Sequence, residues 1–149
     1  MTKEAPKANQ SLHDVLQPDG WARPKGYANG ISATGRTIFV AGQIGWNADC
    51  RFESEDLVVQ TKQALRNIVS VLLAGGADPG HLTSMTWYFT DKMDYLQRLS
   101  EIGGVYREII GLNFPAMTAM EVGALMEDQA KVEIQAIAVV PERVKDPQS

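Results

Sequence analysis

Two isolated carboxylates stand in the most apolar stretches of this chain. Glu133 lies in "KVEIQAIAVV" (131–140), flanked by Val132 and Ile134, and Glu121 lies in "NFPAMTAMEVGAL" (113–125). A carboxylate held in such a strand can take a proton from water and aim the oxygen at an electrophilic carbon. It can equally be a solvated outward acid on an edge strand. Glu121 is read as a structural acid that binds backbone or a neighbouring subunit. Brought side by side, the two could divide acid and base roles between them. Other reactive residue types are few. His13 and His81 are far apart in sequence and Cys50 is the only cysteine, so no zinc-ligand spacing exists and no internal disulfide can form. Cys50 sits in the polar loop "WNADCRF" with no histidine near it in sequence, and is not read as a nucleophile. "AGGADPG" (74–80) lacks the Lys-Ser/Thr ending of a phosphate loop and follows a helical pattern, so it reads as a helix stop.

The elements that must position these residues follow from hydrophobic period. "YANGIS" and "TIFVAGQI", separated by "ATGR", read as a hairpin. Leu57, Thr61, Ala64, Leu65, Ile68, Val71 and Leu72 then recur at helical spacing, with Ser54 as the expected N-cap and Glu55 and Asp56 in the first turn. "LTSMTWYFT" alternates, with Met85, Trp87 and Phe89 on one face. Asp91 or Asp94 caps a second helix whose stripe is Tyr95, Leu99, Ile102, Tyr106 and Ile109 or Ile110, ended by Gly111. Strands over 117–125 and 131–140, joined through "MEDQ", read as a closing hairpin. The order is ββαβαββ: a single mixed sheet with both helices on one face. Phe39 and Val40 point oppositely, as do Ile134 and Ile137, so the strands are apolar on both sides. A sheet with one wet face should alternate cleanly. The bare face is therefore expected to pack against other subunits.

Bulk composition fits one domain. The chain has 149 residues, is 44% hydrophobic and 21% charged, and carries a net charge of −4. That length supports a core without disulfides or metals. The acidic balance argues against a general nucleic-acid or anionic-membrane surface. No run approaches the roughly 18–20 apolar residues of a membrane span. Residues 1–20 are expected as a loosely held arm without a signal-peptide core, 21–142 as the domain, and 143–149 as a frayed tail. The reducing cytoplasm is the expected compartment.

Several stretches together resemble the Rid family (YjgF-like reactive-intermediate deaminases). They are "GYANGI", "IFVAGQIG", "QTKQALRNI", "AGGADPGHLTSMTWYFTD", "NFPAMTAMEV" and "KVEIQAIAVV", and they span nearly the whole domain. The resemblance implies a chorismate-mutase-like α+β fold and a homotrimer whose sheets form a central barrel, with a ligand cleft at each subunit interface. It implies hydrolysis of an imine or enamine without metal or organic cofactor. Carried over by position, the residue that holds or activates water is Glu133 and the pocket tyrosine is Tyr27. The pocket-lining backbone of the second strand is Ala41–Gly42–Gln43, and that of the fourth strand runs through Met117, Thr118 and Ala119. The family's carboxylate-clamping arginine, which follows "FPA", is replaced here by Met117. Its familiar cysteine two residues on is Ala119. A bidentate arginine contact is charge-assisted, and methionine supplies none of it. The usual 2-imino acid is thus a poor fit. Arg23, Lys25 and Arg107 are candidate replacement cations, each also readable as a plain surface charge. Trp21 and Trp46 are candidate cleft walls. The alternatives are a non-catalytic small-molecule-binding or regulatory trimer, and a ribonuclease. The absence of a basic stripe counts against the last.

Overall fold

The computed structural model describes residues 9–142. In chain order the elements are β1 (Asp14–Leu16), β2 (Gly30–Ser32), β3 (Arg36–Ile44), α1 (Leu57–Ala74), β4 (Leu82–Phe89), α2 (Lys92–Gln97), α3 (Leu99–Ile109), β5 (Ala116–Glu121) and β6 (Val132–Val140). This is an α+β fold with three helices and a mixed sheet. The main sheet has four strands in the order β3-β6-β4-β5, with β4 and β5 parallel and the other pairs antiparallel.

Side-chain alternation sets the two faces. One row across the sheet runs Val40, Ala136, Met85 and Met117. Val40, Ala136 and Met85 are buried under the helices in one core with Leu65, Ile68, Ile102 and Tyr106. The helix α1 buries Leu57, Gln60, Thr61, Ala64, Leu65, Ile68 and Leu72 at helical spacing. On the other face Phe39 is 76% exposed, while Ile137 and Tyr88 are half-buried and Met120 is exposed. This face carries apolar side chains with no cover among the described residues.

Several details differ from the sequence expectations. The expected first hairpin does not form. Residues 30–32 leave the main sheet and pair with β1. The closing hairpin does not form either, because β4 lies between β5 and β6. A parallel β4–β5 pair buried on its helix side is as apolar as a hairpin would be, so composition did not separate them. The α1 cap is Asp56, whose side chain accepts from Val59 N–H, while Ser54 Oγ accepts from Asp56 N–H one step earlier. Val71 is exposed and Gln60 takes its place in the buried stripe. The second helix is broken at Arg98 into α2 and α3.

The segment expected as a loose arm is tied down over its described part. Asn9 Nδ2–H donates to Phe114 C=O at 2.6 Å, and β1 pairs with β2. The two histidines meet in the fold: His13 Nε2 contacts His81 C=O at 3.0 Å, and His81 Nδ1 accepts from Asp78 N–H. Both therefore bind backbone. The expected arm residues 1–8 and tail residues 143–149 lie outside the described residues.

Two polar braces hold the framework near the functional regions. Arg98 bonds Asp56 and Glu101, tying the start of α1 to the start of α3. Arg98 also holds the Asp56 carboxyl below the usual carboxylate range. Gln60 is buried, and its side-chain amide bonds Ser54 C=O at 3.0 Å, Gln129 C=O at 2.9 Å and Lys131 N–H at 2.8 Å. It fixes the backbone immediately before β6. Gln60→Ala strands these backbone groups without partners and is expected to lower stability by about 2–4 kcal/mol. Urea unfolding monitored by circular dichroism measures it.

Candidate functional site

The sequence-derived site residues fall into two groups on opposite faces of the sheet. Glu133, Ala41, Gly42 and Thr118 belong to the uncovered face. Tyr27, Met117 and Ala119 line a cleft on the helix side.

The first group is built around a bulge. Val40 pairs with Ala136 and Gln43 with Ile134, so Ala41 and Gly42 together stand opposite the single residue Gln135. Such a bulge leaves backbone groups out of the ladder and re-aims the chain. Both residues are exposed. Glu133 packs against this bulge. A Cβ placed on Gly42 would lie 2.2 Å from Glu133 Oε1 and 2.9 Å from its carboxyl carbon. Only glycine lets the carboxylate lie against the β3 backbone. Glu133 is half-buried and pairs across the sheet with Tyr88, and Thr118 lies on the same face in the row Gln135–Thr86–Thr118.

The second group borders a cleft of about 600 Å³ between α3, β5 and the loop before β2. Its walls are aromatic: Tyr27, Trp87, Tyr95, Tyr106 and Phe114. Tyr106 stacks on Phe114 with ring centroids 5.5 Å apart, and its phenol donates to Asn113 C=O at 2.5 Å. Burial pushes the Tyr106 phenol well above the usual tyrosine range and raises that of Tyr95 as well, keeping both un-ionised. They can donate hydrogen bonds but cannot act as bases near neutrality. The cleft's charged residues are Lys25 and Arg107, and neither carboxylate nor histidine lines it. Met117 is half-buried there, where the resemblance put an arginine.

Met117 and Glu133 lie two strands apart, about 10 Å across the sheet at the usual strand spacing, are offset along it because Met117 shares a row with Ala136, and point to opposite faces. One chain does not unite the two groups. Nor are the two carboxylates neighbours. Glu121 is in the row with Phe89 on the helix side, and its Oε2 accepts from Lys92 N–H at 3.1 Å, securing the start of α2. It is structural, as its sequence reading held. Trp21 and Trp46 do not line the cleft: Trp21 is 62% exposed and Trp46 packs on Phe52. Trp87, read as core, is both core and cleft wall, and its indole N–H has no acceptor among the described residues. Tyr95 and Tyr106 were visible only as a helix stripe, and nothing in that spacing marks a side chain as facing a cavity. Arg23 is absent from the cleft, while Lys25 and Arg107 are in it. Among the described residues no group of three or more His, Cys, Asp or Glu side chains could hold a metal ion, and no helix is long and apolar enough to cross a membrane.

A family model described as Endoribonuclease L-PSP matches residues 21–140. The chain belongs to this family, the Rid or YjgF-like proteins. It is 36% identical over 105 residues to a 2-iminobutanoate/2-iminopropanoate deaminase of Capra hircus, covering 70% of this chain and 73% of that one. It is 33% identical to a RutC family protein of Pyrococcus horikoshii, covering 85% and 98%. Among solved structures it superposes on the Rid protein YyfB of Yersinia pestis with TM-score 0.77 at 28% identity, covering 86% of this chain and 98% of that one.

The Rid fold retained around position 117 makes that position a direct test of the cleft. Met117→Arg sets a bidentate donor among the apolar walls. It is expected to raise affinity for pyruvate by about tenfold, the worth of a charge-assisted hydrogen bond. Titration calorimetry on both proteins checks this.

Proposed function

We propose that this Rid protein hydrolyses the C=N bond of an unstable imine, or of an enamine after protonation at carbon, in a homotrimer. The site lies between subunits. The cleft bearing Tyr27, Met117 and Ala119 comes from one copy, and Glu133 with the Ala41–Gly42 bulge from the next. Deaminase activity in relatives of about a third identity supports the reaction class. The observation that carries the proposal is the seating of the Glu133 carboxylate against Gly42, beside backbone groups freed by the bulge.

The chemistry divides as the two groups do. The cleft holds hydrophobic surface, phenol donors and cations, with no group able to take a proton from water at neutral pH. The opposite face holds that group. Water adds to the imine carbon as Glu133 accepts one of its protons. Glu133 returns that proton to nitrogen, and as the carbon–nitrogen bond breaks it takes the hydroxyl proton, so that ammonia leaves a carbonyl product. Backbone groups that such a bulge leaves out of the ladder can hold the attacked molecule, as backbone donors do at other addition sites. Apolar Phe39, Ile137 and Met120 on the uncovered face give the subunits a surface to share.

Methionine at position 117 favours one other reading, a trimer that binds a small molecule without turning it over. Single-turnover ammonium release, corrected for the spontaneous rate, separates the two. Glu133→Gln is isosteric and is expected to cost about 10²–10⁴-fold in rate while the assembly persists. Gly42→Ala, whose methyl displaces the carboxylate, is expected to cost rate in the same way. An unchanged rate in Glu133→Gln removes Glu133 from the mechanism. No catalysed release by wild type on any imine supports the binding reading.

A further inference from the structure

The cleft's contents say more about the ligand than its family position does. Its aromatic walls suit a ligand with an aromatic body better than a small 2-imino acid, which offers them no ring to stack. Its charges are all positive. Lys25 and Arg107 line it, and neither forms an ion pair among the described residues, where the salt bridges engage Lys62, His81 and Arg98. A cleft that gathers two uncompensated cations and no carboxylate favours an anion.

Arg107 is set up by an unusual local sequence. Gly103 lies one turn before it on α3, and a glycine inside a helix costs up to about 1 kcal/mol relative to alanine. A Cβ at Gly103 would stand 3.3 Å from Arg107 Nη1 and 4.0 Å from its guanidinium carbon. The guanidinium therefore folds back over the bare helix backbone, and Gly103 and Arg107 both line the cleft. A methyl at Gly103 would crowd the edge of that guanidinium. Lys25 is a point charge on a loop, next to Gly26 with φ +76°. Arg107 offers a planar fork from a helix, the better geometry for a carboxylate.

We propose that the cleft selects a ligand with a flat aromatic body and an anionic group, and that Arg107, seated over Gly103, binds that anion in place of an arginine at position 117. The assignment rests on the reading above only in making this ligand an imine; the recognition itself is a binding property of the cleft. Aromatic faces stack on Tyr27, Trp87 and Phe114, and the carboxylate lies at the α3 wall. Met117 then serves the apolar body.

The test uses the purified assembly and three stable oxo compounds, so it needs no turnover. Phenylpyruvate carries ring and carboxylate, pyruvate the carboxylate alone, and phenylacetone the ring alone. Calorimetry is expected to find phenylpyruvate bound more tightly than either. Arg107→Gln is expected to weaken phenylpyruvate by about tenfold and leave phenylacetone unchanged, with Arg107→Lys recovering part of the loss. Phenylpyruvate binding no tighter than phenylacetone overturns the proposal. So does an Arg107→Gln change that weakens both equally, since that reports a distorted cleft. Failure of the catalytic reading looks different: no ammonium release from an aromatic imine, with this binding pattern intact.

Discussion

The strict alternation of side chains along β5 and β6 is the constraint on which the rest depends. On β6, Val132, Ile134, Ala136 and Ala138 are buried under the helices while Glu133, Gln135 and Ile137 of the other parity are not, and the β4–β5 pairing carries the same two faces onto β5. Met117 has the first parity and Glu133 the second. No rotamer can bring them together through a hydrogen-bonded sheet. Within one chain, therefore, the aromatic cleft has no carboxylate in its lining and Glu133 stands on the opposite face. In the proposed assembly a second copy offers its Glu133 where the first offers aromatic walls. The exposed apolar groups on the uncovered face would give such an assembly a surface to bury, independent of any chemistry.

The supporting structure serves these two groups. Gln60 fixes the approach to β6, and with it Glu133. The Arg98 brace fixes α3 against α1, and with it the cleft wall. Glu121 anchors α2 beside β5. At the bulge, Gly42 allows contact between a carboxylate and the neighbouring strand that any side chain would prevent. On α3 the Arg107 guanidinium lies over Gly103, where a side chain would crowd its edge. The two glycines weaken regular structure locally, and each weakness lies where a charged side chain needs backbone to lie against.

Much of this was legible in the sequence. Helical and strand periods located α1, β4 and β6 closely. The mismatch of Phe39 with Val40, and of Ile137 with Ile134, marked a sheet apolar on both sides. A lone Glu133 between Val132 and Ile134 marked itself. Strand order was not legible, because a parallel β4–β5 pair and a β5–β6 hairpin draw on the same apolar residues. The separation of Glu121 from Glu133 was lost with it. The bulge was hidden, since nothing in "VAGQI" counts residues on the partner strand. The cleft walls were also hidden: Trp87, Tyr95 and Tyr106 read as core because core and cleft ask for the same side chains. Arg107 stood among three candidate cations, and only the fold separated it and Lys25 from Arg23.

Subunit mixing asks whether each site is shared between copies. Glu133→Gln disables the base, and Met117→Trp fills the cleft. Each variant alone is expected to release no more ammonium from an imine than the spontaneous reaction does. Unfolded together and refolded as mixed trimers, equal amounts should regain about a quarter of wild-type activity, because a chain with an intact cleft then meets a neighbour with an intact base at that frequency in a cyclic assembly. Mixed assemblies of the same size that stay as inactive as their parents would contradict the account.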